Sequence, residues 1–323
     1  MNISDTERIC AVLNQMGFSR TNIEEEAQLL GVVACSVRQR AIDRVYAKIA
    51  KWNSWKNRRN IITFASGCIL PADKKKLLKR FDLLFSIQQL PELPEILSGF
   101  GVPTAFSISN YNATYWNITP NYESHFDAYV PIQNGCNKFC SFCAVPYTRG
   151  RETSRPSAEI IEEVTQLLDK GYKSITLLGQ NVNSYGQDTP DTEISFPELM
   201  RNIGELGKKY NDSFWIYFTS PHPKDMTPEL LDVIAAYPVL AKQIHLPIQS
   251  GDDQVLKTMN RGYSVQHYEN IVLDIRRKIP SATIFTDIIV GFSGETNEQF
   301  LNTKDALRRF RFNMAYIAIY SPR

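Results

Sequence analysis

Short apolar runs rich in β-branched residues alternate along this chain with longer segments of helix-favouring composition. Leu29-Leu-Gly-Val-Val-Ala34 and Ile61-Ile-Thr-Phe-Ala65 read as strands. Arg40 to about Trp55, and Pro71 to Arg80, read as the helices that follow them. At the N-terminus Ser4-Asp-Thr-Glu7 predicts a capping box, opening a helix that runs to about Met16. The stretch from Pro91 to Thr119 is rich in Pro, Gly, Ser and Asn and has weak periodicity. It predicts the end of a first domain and a linker, giving domains 1–121 and 122–323.

The second part repeats strand and helix. Strands are predicted at Tyr129–Gln133, Ser174–Leu178, Trp215–Ser220, Gln243–Pro247, Thr283–Val290 and Met314–Ile319. Helices fill the gaps, with a second capping box predicted at Ser195-Phe-Pro-Glu198 and proline at the first helical position in Thr227-Pro228. Six strand–helix steps predict an incomplete or open parallel barrel, and the first part predicts a smaller parallel sheet. The fold class is therefore α/β, and in such folds chemistry lies at the carboxyl ends of the strands.

Composition narrows the class. Apolar residues at 43% and charged residues at 22% leave enough material for a core and exclude a disordered chain. The longest apolar run, Leu29–Cys35, is far short of the ~20 residues of a membrane helix. The opening residues MNISDTERIC carry acids where a signal peptide would be basic and then apolar. A cytoplasmic protein is expected, without a membrane partner. The net charge of +2 hides an uneven distribution, because residues 1–100 hold 15 Lys and Arg against 10 Asp and Glu. The excess is concentrated in Arg38–Arg59, where Arg38, Arg40, Arg44, Lys48, Lys51, Lys56, Arg58 and Arg59 face Asp43 alone, with Trp52 and Trp55 among them. Such a strip is either a contact for RNA phosphate or a solvated helix face.

Six cysteines, at 10, 35, 68, 136, 140 and 143, are expected to stay reduced in the absence of an export signal. Cys35 and Cys68 end the two strands of the first part. Cys136-Asn-Lys-Phe-Cys140-Ser-Phe-Cys143 follows directly on the first barrel strand. Three closely spaced thiolates can hold three corners of one compact iron–sulfur cluster and leave a fourth iron free for substrate chemistry. The alternatives are a zinc site, which lacks an obvious nearby fourth ligand, and buried structural thiols. Cys10 reads as a half-buried apolar side chain in the first helix.

A CxxxCxxC loop after the first strand of a partial barrel resembles the radical S-adenosylmethionine enzymes. The surrounding runs resemble their methylthiotransferase family: Val145-Pro-Tyr-Thr-Arg-Gly-Arg-Glu152, Leu178-Gly-Gln-Asn-Val-Asn-Ser-Tyr-Gly186, His245-Leu-Pro-Ile-Gln-Ser-Gly251, Met259-Asn-Arg-Gly262, Asp287-Ile-Ile-Val-Gly-Phe-Ser-Gly-Glu295 and Tyr320-Ser-Pro-Arg323. Met1-Asn2, Asp5-Thr-Glu-Arg8, Ala34-Cys-Ser-Val-Arg38 and Gly67-Cys68 extend the likeness through the first part. The chain is most similar to the branch that makes tRNA 2-methylthioadenosine, and less so to the branches acting on threonylcarbamoyl-adenosine or on a ribosomal-protein aspartate.

The resemblance implies a flavodoxin-like N-terminal domain followed by a (β/α)6 radical barrel. It implies that Cys136, Cys140 and Cys143 hold a 4Fe–4S cluster whose open iron chelates S-adenosylmethionine. One electron then yields a 5′-deoxyadenosyl radical, which takes hydrogen from carbon 2 of the adenine ring. By family analogy Cys35 and Cys68 are two of three ligands of an auxiliary 4Fe–4S cluster that supplies sulfur, and a second S-adenosylmethionine supplies the methyl group. Gln180, Asn181, Gln249 and Gly291 are candidates for cofactor or adenine binding, and Arg38, Arg44, Lys48, Arg149 and Arg151 for RNA contact. His222 and His245 read as hydrogen-bonded or solvated. The partners implied are a tRNA anticodon stem-loop, whose unpaired base can be turned into a pocket, and a reduced flavodoxin or ferredoxin-type electron donor. A monomer is expected. The family's first cysteine stands in a Gly-Cys-Gln-Met-Asn segment, of which this chain has the Met-Asn, and its C-terminal RNA-binding β-barrel follows the Ser-Pro-Arg where this chain stops. The chain is therefore expected to be truncated at both ends, cleaving S-adenosylmethionine yet transferring little sulfur.

Overall fold

The computed structural model describes residues 1–35, 39–102 and 114–322, so Arg38 lies outside the described residues. The chain forms two compact units, Met1–Glu123 and Ser124–Pro322.

In the first unit α1 (Asn2–Gln15) is followed by β1 (Leu29–Cys35), α2 (Gln39–Trp55), β2 (Ile62–Cys68), α3 (Pro71–Leu77), β3 (Leu83–Leu84) and α4 (Leu93–Ser98). The three strands form a parallel sheet in the order β1-β2-β3. Successive side chains of a strand point to opposite faces, and β2 shows it: Phe64 joins one core, Ala65 the other. On the first face lie Ile9 and Val12 of α1 with Leu93 and Leu97 of α4. On the second lie Ile42, Val45, Ile49 and Trp52 of α2, spaced at the helical period, with Leu77 of α3.

Two expectations for this unit are corrected. The helix begins at Asn2, so Ser4 sits inside its first turn; it is buried and accepts from Arg8 Nη1 instead of capping. The stretch from Pro91 is no linker over its described part. Leu93, Leu97, Tyr115 and Ile118 are core residues, and the Tyr115 hydroxyl donates to Asp5 Oδ1 at 2.7 Å within the core. Of the prolines that gave it a loop-like composition, Pro94 stands in the first turn of α4, where a helix tolerates it.

The second unit contains β4 (Asp127–Pro131), β5 (Gln133–Asn134), α5 (Val145–Thr148), β6 (Thr153–Ser154), α6 (Ser157–Asp169), β7 (Ser174–Leu178), α7 (Phe196–Lys209), β8 (Trp215–Phe218), α8 (Pro228–Ala236), β9 (Gln243–His245), α9 (Asp253–Thr258), α10 (Val265–Lys278), β10 (Thr283–Val290), α11 (Asn297–Phe310) and β11 (Met314–Ile319). Two parallel ribbons, β4-β7-β8 and β9-β10-β11, make up the six strands of the open barrel. A bridge between Ile216 of β8 and Leu240, just ahead of β9, ties the first ribbon to the start of the second. The predicted strand Tyr129–Gln133 divides: β4 stays with β7 as far as Pro131, while Gln133 and Asn134 turn away to pair antiparallel with β6. That departure carries the chain out of the sheet at its carboxyl edge, where the cysteine loop begins. At Ser195 half of the capping box forms: its hydroxyl accepts from Glu198 N, while the Glu198 carboxylate goes to Arg201. Thr227 caps α8 with proline next to it, as predicted. Among the described residues no helix is long and apolar enough to cross a membrane.

Candidate active site at the strand ends

Gly135 turns the chain from β5 into the cysteine loop. Its φ is +80°, and a Cβ there would stand 2.0 Å from the Arg151 carbonyl oxygen, so the position admits only glycine. Its N–H donates to Gln180 Oε1, from the loop after β7. Cys136 N–H donates to the Gly150 carbonyl at 3.2 Å, and Arg149 Nη1 to Asn134 Oδ1 at 3.3 Å. The strand ends and the segment 149–154 thus hold the start of the loop. Arg149, expected at an RNA phosphate, is 5% exposed and belongs to this scaffold, whereas Arg151 is exposed with its guanidinium 4.4 Å from the Phe139 ring centroid.

The other side of the loop is held by the segment after α9. Asn260, in the left-handed region at φ +56°, donates from Nδ2 to the carbonyls of Lys138 and Phe139. Ser141 N–H donates to the Met259 carbonyl at 3.0 Å. Arg261 is 6% exposed and donates from Nη1 to Cys140 Sγ at 3.3 Å, from Nη2 to the Pro247 carbonyl and from Nε to the Tyr263 hydroxyl. A fixed guanidinium fork anchored by a carbonyl and a phenol is thereby aimed at one sulfur. The Met259-Asn-Arg-Gly262 run was legible as a family likeness, but nothing in it revealed that its polar residues clamp the cysteine loop.

Inside the loop Lys138 reaches Asp225, at 2.7 Å from Oδ2, and Asn181 Nδ2 donates to the same carboxylate at 3.0 Å. This pair, nearly buried, joins the loop to the ends of β7 and β8. His222 caps the turn that carries Asp225, accepting at Nδ1 from Lys224 N. Burial, and then the positive charges of Arg261, Lys138 and Lys224, push the imidazole down to about 2, so the ring is neutral with its proton on Nε2.

Several buried polar atoms in this neighbourhood have no protein partner: Gln133 Oε1, Gln180 Nε2, Asn181 Oδ1 and His222 Nε2. Each such atom costs roughly 1–3 kcal/mol when left unpaired. A run of them at successive strand ends, contiguous with the cysteine loop, suits a polar ligand that pairs them when bound. Gln249 lies four residues beyond the fourth barrel strand at φ +72°, its backbone bonded to Asp287 and Ile289 of β10. Gly291 directly follows the fifth, β10, at φ +69°; a Cβ there would meet nothing within 4 Å, so the conformation and not protein crowding calls for glycine. His245 Nε2 lies 3.0 Å from Asp287 Oδ2.

The donor set fits an iron–sulfur cluster. Cys136 and Cys140 are buried and Cys143 half-buried, and their sulfurs draw N–H donors, from Lys138 N at 3.5 Å as well as from Arg261. Burial pushes the Cys136 thiol up to about 11, with Glu152 and the other two cysteines adding to it. A coordinating cation reverses that preference. Among the described residues no three His, Cys, Asp or Glu side chains close around a single ion. A multi-iron cluster takes one thiolate at each corner, so its ligands stand further apart than those of one zinc.

In the first unit Cys35 and Cys68 are partners in the β1–β2 register, at the carboxyl ends of strands about 4.8 Å apart. Side chains in register share a face, so the structure brings these two together. Cys10 is half-buried in α1, its thiol raised by burial. Of the basic strip, Lys48 pairs with Glu24, and Lys51 with Glu24 and Glu25; Lys56 pairs with Asp82. Trp52 Nε1 also donates to Glu24. Arg44 is exposed.

Comparison with known proteins joins this geometry to a family. Residues 130–307 match the radical SAM superfamily, and residues 1–86 match a family described as uncharacterized protein family UPF0004. A tRNA-2-methylthio-N(6)-dimethylallyladenosine synthase of Carboxydothermus hydrogenoformans is 39% identical over all of this chain and 74% of its own length. The protein of that name from Treponema denticola is 37% identical, over 75% of its length. The chain belongs to the radical SAM methylthiotransferases. Among solved structures, the radical S-adenosylmethionine methyltransferase TsrM of Kitasatospora setae, with cobalamin and a 4Fe–4S cluster bound, superposes with a TM-score of 0.64 at 15% identity, covering 97% of this chain and 66% of that one. The cobalamin-dependent radical enzyme OxsB gives 0.64 at 12%, covering 92% and 44%. These two share the fold with the present methylthiotransferase. The superfamily brings a 4Fe–4S cluster and S-adenosylmethionine with it, and the triad is where this chain has thiols for such a cluster.

Proposed function

We propose that this chain is a tRNA-modifying enzyme that adds a methylthio group to carbon 2 of isopentenylated adenosine next to the anticodon. Relatives bearing that activity in their names match the chain along its whole length at 36–39% identity. The observation that carries the chemical part is the cysteine loop, clamped by Asn260 and Arg261 and bordered by unpaired polar atoms at the strand ends.

In this reading Cys136, Cys140 and Cys143 hold the cluster, and Arg261 stabilises the thiolate of Cys140 with a charge-assisted hydrogen bond. When bound, the cluster and S-adenosylmethionine supply one-electron bond cleavage and a carbon radical strong enough to take hydrogen from the adenine ring. The protein's own part is position and dryness. The Lys138–Asp225–Asn181 network fixes the loop against the strand ends, while the free amide of Gln180, the free carbonyl of Asn181 and the neutral His222 N–H meet polar groups of the cofactor. Gln249 and Gly291 line the same rim. In the 1–121 domain, Cys35 and Cys68 supply two ligands of an auxiliary 4Fe–4S cluster, the source of sulfur. Arg44 and Arg151, both exposed, are available to RNA phosphate. A reduced flavodoxin or ferredoxin supplies the electron, and the enzyme works in the cytoplasm as a monomer.

The test is anaerobic reconstitution with iron and sulfide, followed by reduction with S-adenosylmethionine and tRNA containing isopentenyladenosine. The expected products are 5′-deoxyadenosine and the methylthiolated nucleoside, read by liquid chromatography and mass spectrometry of digested tRNA. Methylthiolation confined to threonylcarbamoyl-adenosine or to a ribosomal protein overturns the substrate assignment.

A further inference from the structure

Of the positive charge that the sequence concentrates in Arg38–Arg59, Lys48, Lys51 and Lys56 are paired inside the first unit, with Glu24, Glu25 and Asp82. A second run is not. Lys74, Lys75, Lys76, Lys79 and Arg80 fall within seven residues on α3 and the turn after it, all exposed. The carboxylate in this run, Asp73, is buried, and among the described residues none of the five cations lies within ion-pair distance of an acid. Like charges packed this closely repel one another and gain from an external anion.

These residues also shape a concavity. Lys76, Lys79 and Arg80 form a cleft of about 510 Å³ with Tyr46 of α2. The Arg80 guanidinium stands 5.3 Å from the Tyr46 ring centroid, and the Arg80 carbonyl accepts from Asn53 Nδ2, which ties the end of this run to α2. The cleft therefore offers two kinds of contact. Ammonium groups at its rim match phosphate oxygens, and a planar phenol–guanidinium pair in its wall offers a surface on which an unpaired base can stack. An acidic protein would use the rim charge but has no need of the planar pair. Asp43, one helical turn before Tyr46, is the nearest acid along α2; its Oδ1 accepts from Gln39.

We infer that this cleft, formed by Tyr46, Lys76, Lys79 and Arg80, is a binding site for single-stranded RNA backbone and base, a second RNA contact on the N-terminal unit of the enzyme. The inference rests on the reading of RNA as the substrate. It places the contact in residues that the basic composition of α2 does not point to.

The experiment measures binding of tRNA and of a poly(U) oligonucleotide to the reconstituted full chain over a range of salt. For Lys76→Ala/Lys79→Ala the expected result is about tenfold weaker binding. The slope of log affinity against log salt should fall by about 1.4, two phosphate contacts on a single strand. Tyr46→Leu is expected to weaken binding about fivefold with the slope unchanged, since it removes stacking and no charge. Thermal melting of each variant checks that the first unit is folded. Reductive cleavage of S-adenosylmethionine without RNA should equal the parent's. Unchanged affinity and slope in the double lysine variant overturn the inference. So does a loss confined to reduction by flavodoxin, which would assign the cleft to a protein partner. If the parent binds poly(U) through these residues yet fails on tRNA, the substrate reading fails and the cleft stands.

Discussion

Two Gly-Cys steps end strands in this protein, and they gather their thiols by different means. Gly67 at φ +95° precedes Cys68, and Gly135 at φ +80° precedes Cys136. At both, backbone leaves no room for a side chain: a Cβ on Gly67 would stand 2.5 Å from the Ala34 carbonyl oxygen, and one on Gly135 2.0 Å from that of Arg151. From there the two sites diverge. Cys68 meets Cys35 because two parallel strands are in register, so that pair is as sound as the β1–β2 ladder. The triad needs no register, since its three thiols come from eight residues of one loop. What the triad does need is aim, and Gln180 after β7, Asp225 after β8 through its pair with Lys138, and Asn260 and Arg261 after α9 supply it from three separate segments. Local spacing makes thiols available together, and long-range contacts decide which way they face.

The comparison can be broken at either site. The largest effect is expected from Cys140→Ala, which removes one of the three proposed ligands of the cluster. Reconstituted protein should lose about four irons per chain, the content of one such cluster, and form no detectable 5′-deoxyadenosine. Cleavage at the parental rate would sink the assignment of the triad.

Next come the two glycines. Gly67→Ala and Gly135→Ala each force a side chain into a left-handed, backbone-crowded position, and each should destabilise its own unit by about 3 kcal/mol. The consequences should separate. Gly67→Ala lowers the melting temperature yet leaves cleavage of S-adenosylmethionine intact, whereas Gly135→Ala abolishes cleavage. Equal loss of cleavage in both variants would show that the triad depends on the sheet of the first unit.

A smaller effect sharpens the role of the clamp. Arg261→Lys keeps the positive charge and loses the fork that reaches Cys140, Pro247 and Tyr263 together. Iron content at the triad should hold while cleavage slows about tenfold, the equivalent of about 1.4 kcal/mol, and the electron paramagnetic resonance spectrum of the reduced cluster should shift. A parental spectrum and rate would leave Arg261 a packing residue.

The smallest effect belongs to the anchor of α2. The bond from Lys48, then that from Trp52, holds the Glu24 carboxylate down to about 2, below its ordinary value of 4.5. A carboxylate lowered in the folded state stabilises it above the ordinary carboxylate range, and that contribution is lost as pH falls from about 5 toward 2. Glu24→Gln should therefore lower stability at pH 7 by about 1 kcal/mol or less, because the pair is partly exposed. The gap to the parent should close in denaturant titrations near pH 2. A gap that persists at low pH would assign the loss to packing around Trp52.

The architecture was largely legible in advance. All six barrel strands were placed from short segments rich in apolar and β-branched residues set between helical segments. The cysteine loop was legible because metal ligation constrains residue type and spacing together. Less legible were segments whose composition and environment disagree. The proline-rich stretch read as a linker because its apolar residues are scattered, yet Leu93, Leu97, Tyr115 and Ile118 converge on α1 in the folded unit. Ser4 matched a capping motif, but Asn2 starts the helix, and its side chain donates to the carbonyls of Val33 and Ala34 at the end of β1. A cap is decided by where the helix begins, and tertiary contacts decided that.

By itself the sequence determined the elements, the α/β class, the thiols and the family, because each depends on residue types at short separations. Only the tertiary structure decided which charges remain free and which polar groups remain unpaired. Two of the four bases of α2, Lys48 and Lys51, are paired with Glu24 and Glu25, which precede β1, so part of a strip conspicuous in composition is turned to internal ion pairs. The lysines of α3, unremarked in the sequence, are exposed and form no ion pair among the described residues. Asn260 and Arg261 reach the cysteine loop across more than a hundred residues of chain. Electrostatic pairing and hydrogen bonding act through a few ångströms of space, and distance along the chain carries little information about that separation.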